Sequence, residues 1–262
     1  MAEITSDQIE YEKTQQFNNA LSWHHLLRYK HILALFRKLA EEKGKGVLRV
    51  VEIGCAHAKL FAVLNERFGI DYGIDYTGIE IAADFVRVAQ ARYGHYPNFR
   101  IIHDSALHAS AYFQQADIIV ALEALEHIPE HEVVRIVEAI AQSRPRYFAC
   151  SVPIEIGPSI WLKNLASAAM GYVRHKEYRW AETLWAGLYQ LDKLPPHDVR
   201  HKGFDWRWLA QTIRHNMQIL AIRKLPFGFL PAPLAFSVFI IARPRDCAAP
   251  RLPDARAPEV QS

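Results

Sequence analysis

Cysteine is scarce in this chain, which has only three cysteines in 262 residues. Cys55, Cys150 and Cys247 lie far apart, show no Cys-x-x-Cys spacing and would leave one thiol over in any disulfide scheme. Small secreted domains often depend on several disulfides, so this pattern excludes a disulfide scaffold and favours a reducing compartment. We therefore expect a cytoplasmic protein.

Long apolar runs and a strong net charge are also missing. The longest apolar stretch, residues 226–242, is interrupted by three prolines and is too short and too broken for a helix that spans a bilayer. The N-terminus is acidic and polar, without the basic start and apolar stretch of a secretory signal. A net charge of +3 gives no strong signal for nucleic acid. The sequence predicts no transmembrane segment and leaves a homodimer open.

What the chain does contain is a regular alternation of apolar strands and helices. After a helical pattern up to about Gly46, β-branched or apolar runs occur at residues 47–54, 76–81, 99–103, 116–122, 147–152, 219–225 and 234–242. Strands that alternate with helices form a parallel sheet that is covered on both faces. The sequence predicts an α/β protein with a Rossmann-like, doubly wound, mostly parallel seven-stranded sheet, an N-terminal helix and an inserted helical cap.

The domain organisation follows from where this alternation holds. We predict an N-terminal helical region at 1–46, a ligand-binding Rossmann-like core at 47–156, a helical cap at 157–203, the end of the core sheet at 204–243 and a disordered tail at 244–262. The cap carries three of the six tryptophans, and the tail is rich in proline, alanine and charge. Pro129 is expected in the first turn of the helix after the fourth strand, where no amide hydrogen is needed. A late helix is expected from Phe204 to about Arg214.

The most informative motif is the end of the first strand. It reads EIGCAHA at residues 52–58, so a carboxylate is followed by a sharp turn of small residues that opens a helix. Such a turn lets the backbone approach a ligand closely at the carboxyl end of the strand. These residues resemble motif I of the class I S-adenosylmethionine-dependent methyltransferases (type 11, 12 or 23), an acidic residue before Gly-x-Gly-x-Gly. Gly54 matches the first glycine, whereas Ala56 and Ala58 replace the other two.

Three further features stand in the order that this resemblance implies. Glu80 ends the second strand, where the family's acidic residue accepts the ribose hydroxyls, and Asp104-Ser105 follow the third strand, where the family holds the adenine amino group. The fourth strand runs into the family-like sequence EALEHI at 123–128. The resemblance implies S-adenosylmethionine as cofactor, S-adenosylhomocysteine as product and no metal. The cofactor-binding residues it implies are Glu52, Gly54, Cys55, Ala56, Glu80, Ile81, Asp104, Ser105 and Glu123.

Other interpretations of these residues stay open. Each acidic residue alone could be a surface or helix-capping carboxylate. Ser159, Tyr172 and Lys176 have the Ser…Tyr-x-x-x-Lys spacing of the NAD(P)-dependent short-chain dehydrogenases, but the glycine-rich dinucleotide turn of that family is missing. Because Ala56 and Ala58 replace glycines, a non-catalytic subunit that binds S-adenosylmethionine is a further alternative.

A metal-dependent alternative rests on acidic and histidine residues. Glu123, Glu126, His127 and His201 resemble the metal-binding set of small-RNA 2′-O-methyltransferases, and two carboxylates with two imidazoles suit a hard or borderline divalent ion. The segment from His201 is one residue longer than in that family, and Glu-x-x-Glu-His also occurs in metal-free methyltransferases. A metal-dependent RNA 2′-O-methyltransferase is therefore the alternative prediction.

The catalytic residues follow from the chemistry of the acceptor. Methyl transfer is a displacement at an activated carbon, so a base is needed only when the acceptor is a hydroxyl, and we predict His127 and His201 for that role. Cap aromatics such as Trp161, Trp180 and Trp185 are expected to close an acceptor pocket that suits sugars or planar molecules. Residues 151–157 and 201–206 resemble bacterial methyltransferases associated with cell-surface glycans. We predict O-methylation of a small molecule or saccharide hydroxyl.

Overall fold

The structure is a computed structural model that describes residues 23–44, 46–161, 164, 179–194, 203–225 and 235–245. Several residues singled out in the sequence lie outside the described residues. They are Tyr172, Lys176, His201 and Cys247, together with most of the predicted tail.

Strands and helices alternate along the described chain as the sequence predicts. The strands are β1 (Leu48–Ile53), β2 (Ile74–Glu80), β3 (Phe99–His103), β4 (Ile118–Leu122), β5 (Tyr147–Pro153), β6 (Met217–Leu225) and β7 (Ser237–Pro244). The helices are α1 (Trp23–Lys43), α2 (Lys59–Tyr72), α3 (Ala83–Tyr93), α4 (Ser110–Phe113), α5 (Glu130–Ser143), α6 (Trp180–Gly187) and α7 (Trp206–Asn216). Short 3₁₀ turns lie at Ala106–His108, Leu125–His127 and Leu191–Lys193.

All seven strands belong to one sheet in the order β3-β2-β1-β4-β5-β7-β6. The first five strands of the chain pair in parallel, and β7 runs antiparallel to both β5 and β6. The predicted mostly parallel, seven-stranded Rossmann-like sheet is therefore confirmed. The strand order reverses between β1 and β4, and the crevice at the carboxyl ends of such a pair is where doubly wound sheets bind ligands.

Two apolar layers cover the two faces of the sheet. Phe36 of α1 and Phe61 of α2 belong to the layer on one face. Ile136 of α5 and Ile213 of α7 belong to the layer on the other face, together with Phe148 of β5. Burial on both faces explains why the central strands are continuous apolar runs instead of alternating patterns.

Two helix starts differ from the sequence predictions. Pro129 lies just before α5, with an extended ψ of 139°, and not in its first turn. The last helix begins at Trp206 because the Asp205 carboxylate accepts the backbone N–H of Arg207 at 2.8 Å and so caps the helix. Phe204, predicted as the first helical residue, is instead a fully buried core residue.

Three other predictions concern the cap, the membrane and the cysteines. Within the described residues, no helix is both long enough and apolar enough to cross a membrane. Cys55 and Cys150 are buried free thiols. The described part of the predicted cap contains helix α6, while the domain boundaries remain predictions.

Candidate active site

The turn after β1 has a left-handed backbone at every second residue. Gly54, Ala56 and Ala58 have φ angles of +64°, +45° and +54°, a left-handed conformation that costs residues other than glycine roughly 1–2 kcal/mol. Gly54 is also required by space, because a Cβ there would lie 2.5 Å from the Cβ of Ala124. Ala56 and Ala58 thus keep the left-handed backbone that glycine favours. Strain of this kind persists where surrounding structure enforces it, commonly at functional sites.

Glu80, at the carboxyl end of β2, braces this turn. Its Oε2 accepts the backbone N–H of Ala56 at 2.8 Å, and its Oε1 accepts the N–H of Ala82 at 2.9 Å. A carboxylate has about four acceptor positions, so two stay available for the hydroxyls of a ligand. The bracing of the turn is a role that the sequence did not indicate.

Glu52 and Cys55 support the turn from within the sheet. Glu52 is buried, its Oε2 accepts the hydroxyl of Tyr76, and burial raises the pKa of the Glu52 carboxyl to about 8. The thiol of Cys55 packs against β2, where a Cβ at Gly78 would lie 2.6 Å from its Sγ. Both residues were predicted to bind the cofactor, which stays a prediction, and in the structure their buried side chains contact β2.

A partly buried ion pair at the end of β4 was not predicted from the sequence. Arg28 of α1 is 4% exposed, and its Nη1 lies 3.8 Å from Oε1 of Glu123. Ser151 of β5 donates its hydroxyl to the same oxygen at 3.0 Å, and its carbonyl accepts the N–H of Glu123 at 2.9 Å. These contacts hold the Glu123 carboxylate at the crevice although its φ is +53°. In the sequence, Arg28 is one of several cations on a helix, so no signal could have singled it out.

The predicted adenine side of the crevice is more open. Ile81, directly after β2, is 71% exposed and offers an apolar surface to a planar ring. Asp104 pairs with His108, whose Nδ1 lies 2.8 Å from Oδ1, and the same oxygen accepts the N–H of Ser105 at 2.7 Å. These contacts hold the pKa of Asp104 below its usual value. The Ser105 hydroxyl oxygen caps the 3₁₀ turn that follows.

The described members of the predicted catalytic and metal-binding set are Glu123, Glu126 and His127, and they differ in burial. Glu126 is fully buried, and burial together with the nearby Glu123 carboxylate raises the pKa of Glu126 well above its usual value. His127, the next residue, is exposed. In the part of the chain that the structure describes, no group of three or more His, Cys, Asp or Glu side chains could hold a metal ion. His201, the other predicted base and ligand, lies outside the described residues.

The cap places an aromatic residue, Tyr189, beside the segment that follows the carboxyl end of β5. Tyr189 follows α6 with a φ of +60°. Its N–H donates to the Ala186 carbonyl at 3.1 Å, and the Gln190 N–H donates to the Trp185 carbonyl at 2.9 Å. This is a Schellman cap, whose left-handed position usually belongs to glycine. A tyrosine is held there despite the backbone cost, which indicates a use for its side chain.

The phenol ring of Tyr189 lies between β5 and α7. It packs against Gly157, four residues after β5, where any Cβ would overlap the tyrosine hydroxyl. The guanidinium carbon of Arg207 lies 4.9 Å from the ring centroid. Trp161 was predicted to close a pocket but donates its indole N–H to the Thr183 carbonyl at 3.0 Å within the cap. Among the described cap aromatics, Tyr189 is therefore our candidate for the pocket wall.

These features agree with comparisons to known proteins. Residues 50–143 match a family model described as a methyltransferase domain. The match runs from β1 to α5 and contains the strained turn, Glu80, Asp104 and Glu123. No curated protein matches the sequence.

Solved structures of low sequence identity share the fold. A magnesium protoporphyrin IX methyltransferase from Synechocystis PCC 6803, solved with bound SAH, is 13% identical with a TM-score of 0.55, over 92% of this chain and 96% of that one. The methyltransferase domain of a bacterial Hen1, CtHen1, is 14% identical with a TM-score of 0.54, over 84% and 98%. The CurJ carbon methyltransferase is 12% identical with a TM-score of 0.59, over 90% and 58%.

The site and fold define an enzyme that transfers methyl groups from S-adenosylmethionine. Residues 50–143 carry a methyltransferase domain, as the motif resemblance to the class I S-adenosylmethionine-dependent methyltransferases predicted. Two of these neighbours are named for different acceptors, magnesium protoporphyrin IX and a carbon atom, so the shared fold leaves the acceptor open.

Proposed function

We propose that this enzyme methylates a hydroxyl group of a small molecule or saccharide. The observation that carries the proposal is that His127 is exposed in the 3₁₀ turn that follows β4, four residues after Glu123. A hydroxyl must lose its proton when it accepts a methyl group, and histidine is suited to take that proton near neutral pH.

The charges of the crevice support S-adenosylmethionine as the cofactor at this place. The cofactor carries a sulfonium, an ammonium and a carboxylate, and its ribose has two hydroxyls. Glu123 would face the positive groups, Arg28 the carboxylate and Glu80 the ribose hydroxyls, while Ile81 would pack on the adenine. When bound, the cofactor supplies an already activated methyl carbon.

The residues of the chain then align the acceptor and manage its proton. His127 would accept the proton of the acceptor hydroxyl, and Tyr189 would offer one wall of the pocket, with Arg207 behind its ring. An aromatic wall suits sugar and planar ring acceptors, because their faces pack on a phenol ring. Alignment of the two reactants in a pocket that excludes water is the main contribution a protein makes to such a displacement.

The test is transfer of tritium from S-adenosyl[methyl-³H]methionine to a panel of acceptors. The panel contains methyl glycosides, catechols, an alkylamine and a small RNA duplex, each with and without EDTA. We expect transfer to a hydroxyl compound that EDTA leaves unchanged. Transfer only to the amine would contradict the proposal, and transfer to RNA that EDTA abolishes would establish the metal-dependent alternative.

The role of His127 needs a matched histidine as its control. We expect His127→Ala to lower kcat on the hydroxyl acceptor roughly 10²-fold or more while the affinity for S-adenosylhomocysteine stays the same. His131→Ala changes an exposed histidine four residues further along the chain, in α5, and should leave kcat unchanged. Equal rates for the two variants would remove His127 from the mechanism.

A further inference from the structure

We propose a second binding site, for an anionic amphiphile, in a groove between α1 and α2. The groove has a volume of about 620 Å³, within the range of small-molecule pockets. Its lining residues are Tyr29, Lys30, Leu33, Ala34, Arg37, Val63, Glu66 and Arg67. None of these residues belongs to the candidate active site.

The groove is lined by one face of α1 and one face of α2. Residues 30, 33, 34 and 37 recur at the spacing of one face of α1, and residues 63, 66 and 67 do the same on α2. Two neighbouring helices that turn such faces toward a shared cleft form an elongated trough. Tyr29 and Val63 are buried at its floor, and Leu33 is half-buried. The floor is therefore apolar.

The rim of the groove is cationic. Lys30, Arg37 and Arg67 are exposed, and none of them forms an ion pair with another residue that the structure describes. The single acidic residue of the lining is Glu66, so three positive charges face one negative charge. Other cations of α1 do have partners: Lys38 lies 3.7 Å from Glu42, and Lys43 pairs with Asp117.

The chemistry of the ligand follows from an apolar floor and a cationic rim that has no ion-pair partner among the described residues. A hydrocarbon chain can bury its surface on Tyr29, Leu33 and Val63, while a phosphate or carboxylate head neutralises the rim. The volume suits one such molecule, whereas a stable protein partner would need roughly 800 Å² of contact surface. The inference is independent of methyl transfer, because binding in the groove can be measured without the acceptor.

The experiment is calorimetric titration of the full chain with dodecyl phosphate below its micelle concentration. Inorganic phosphate and dodecyl maltoside are titrated in parallel, the first without a chain and the second without a charge. We expect dodecyl phosphate to bind at least roughly tenfold more tightly than either probe. If inorganic phosphate binds equally well, the groove is only an anion site, and if dodecyl maltoside binds equally well, the cations play no part; either result overturns the proposal.

A charge-matched pair of triple variants locates the binding. We expect K30Q/R37Q/R67Q to weaken dodecyl phosphate binding roughly tenfold or more. The control, R49Q/R135Q/R214Q, removes three exposed arginines from β1, α5 and α7 and should bind as the parent does. Titration with S-adenosylhomocysteine verifies that both variants fold. Equal weakening in the two variants would mean a general charge effect and would overturn the site.

Discussion

The two ends of the parallel strands are built on different principles. At the amino ends, the Asp117 carboxylate accepts the backbone N–H of Arg49 at 2.9 Å and pairs with Lys43, and Tyr147 donates its hydroxyl to Glu42 at 2.8 Å. At the carboxyl ends, four glutamates are buried and three residues other than glycine have a left-handed backbone. The glutamates are Glu52, Glu80, Glu126 and Glu155, and the left-handed residues are Ala56, Ala58 and Glu123.

We infer from this difference that the amino ends of the strands serve stability and that the carboxyl ends serve function. Paired charges at the amino ends stabilise the fold, whereas buried carboxylates and strained turns at the carboxyl ends lower its stability. Features that cost stability persist where a ligand needs them. Substitutions at the amino ends should therefore change stability alone, and substitutions at the carboxyl ends should change stability and cofactor binding independently.

The largest predicted effect is on the pH dependence of stability. The pKa of Glu52 rises from 4.5 to about 8 on folding, so between these values the folded protein keeps a proton that the unfolded chain has lost. Stability therefore falls as pH rises through this range, by at most about 5 kcal/mol, and levels off above pH 8. Glu52→Gln should make the slope shallower in urea unfolding from pH 5 to 8.5, while the raised pKa of Glu126 keeps part of it. Identical slopes for parent and variant would show that Glu52 does not titrate in this way.

The next effect compares two glycines at opposite ends of the strands. Gly54→Ala adds a methyl group 2.5 Å from Ala124 Cβ at a φ of +64°, and we expect a loss of about 3 kcal/mol in the free energy of unfolding. Gly44→Ala is the control, because its φ is +70° but no atom lies within 4 Å of the added methyl group. It should lose only about 1 kcal/mol. Equal losses in thermal unfolding would mean that the clash with Ala124 relaxes.

A smaller loss is expected from Asp117→Asn at the amino ends. The change removes the charge that Lys43 and Arg146 face, at a side chain that is 15% exposed, and should cost about 1–2 kcal/mol. The affinity for S-adenosylhomocysteine should not change. A variant that bound more weakly although it was still folded would break the proposed separation between the two ends.

The smallest effect is a gain in stability when an alanine of the turn after β1 is replaced by glycine. Ala56→Gly relieves a left-handed alanine but adds freedom to the unfolded chain, for a net gain of about 0.5 kcal/mol. Ala58→Gly should be close to neutral, because it also loses a fully buried methyl group. Urea unfolding of both variants checks the order. A destabilised Ala56→Gly would mean that the turn is not strained.

The fold was more predictable from the sequence than the site. Each apolar run corresponds to a strand within a few residues, because a strand that is buried on both faces consists of consecutive apolar residues. The positions of Gly54, Glu80 and Glu123 at strand ends followed from the same pattern. The partners of these residues did not, since Arg28 and Ser151 reach Glu123 from α1 and β5, and one sequence carries no sign of such distant contacts. Tyr189 was equally hidden, because its left-handed backbone occurs where glycine would be expected.

The measurement that tests the central claim most directly is calorimetric titration with S-adenosylhomocysteine. The parent should bind with micromolar affinity, Asp117→Asn should bind equally well, and Glu80→Gln should bind more weakly. Glu80→Ala should weaken binding roughly ten- to a hundredfold, because it removes charge-assisted hydrogen bonds to the ribose and the brace on Ala56. No binding by the parent, or equal binding by the folded Glu80→Ala variant, would contradict a cofactor site at the carboxyl ends of β1, β2 and β4.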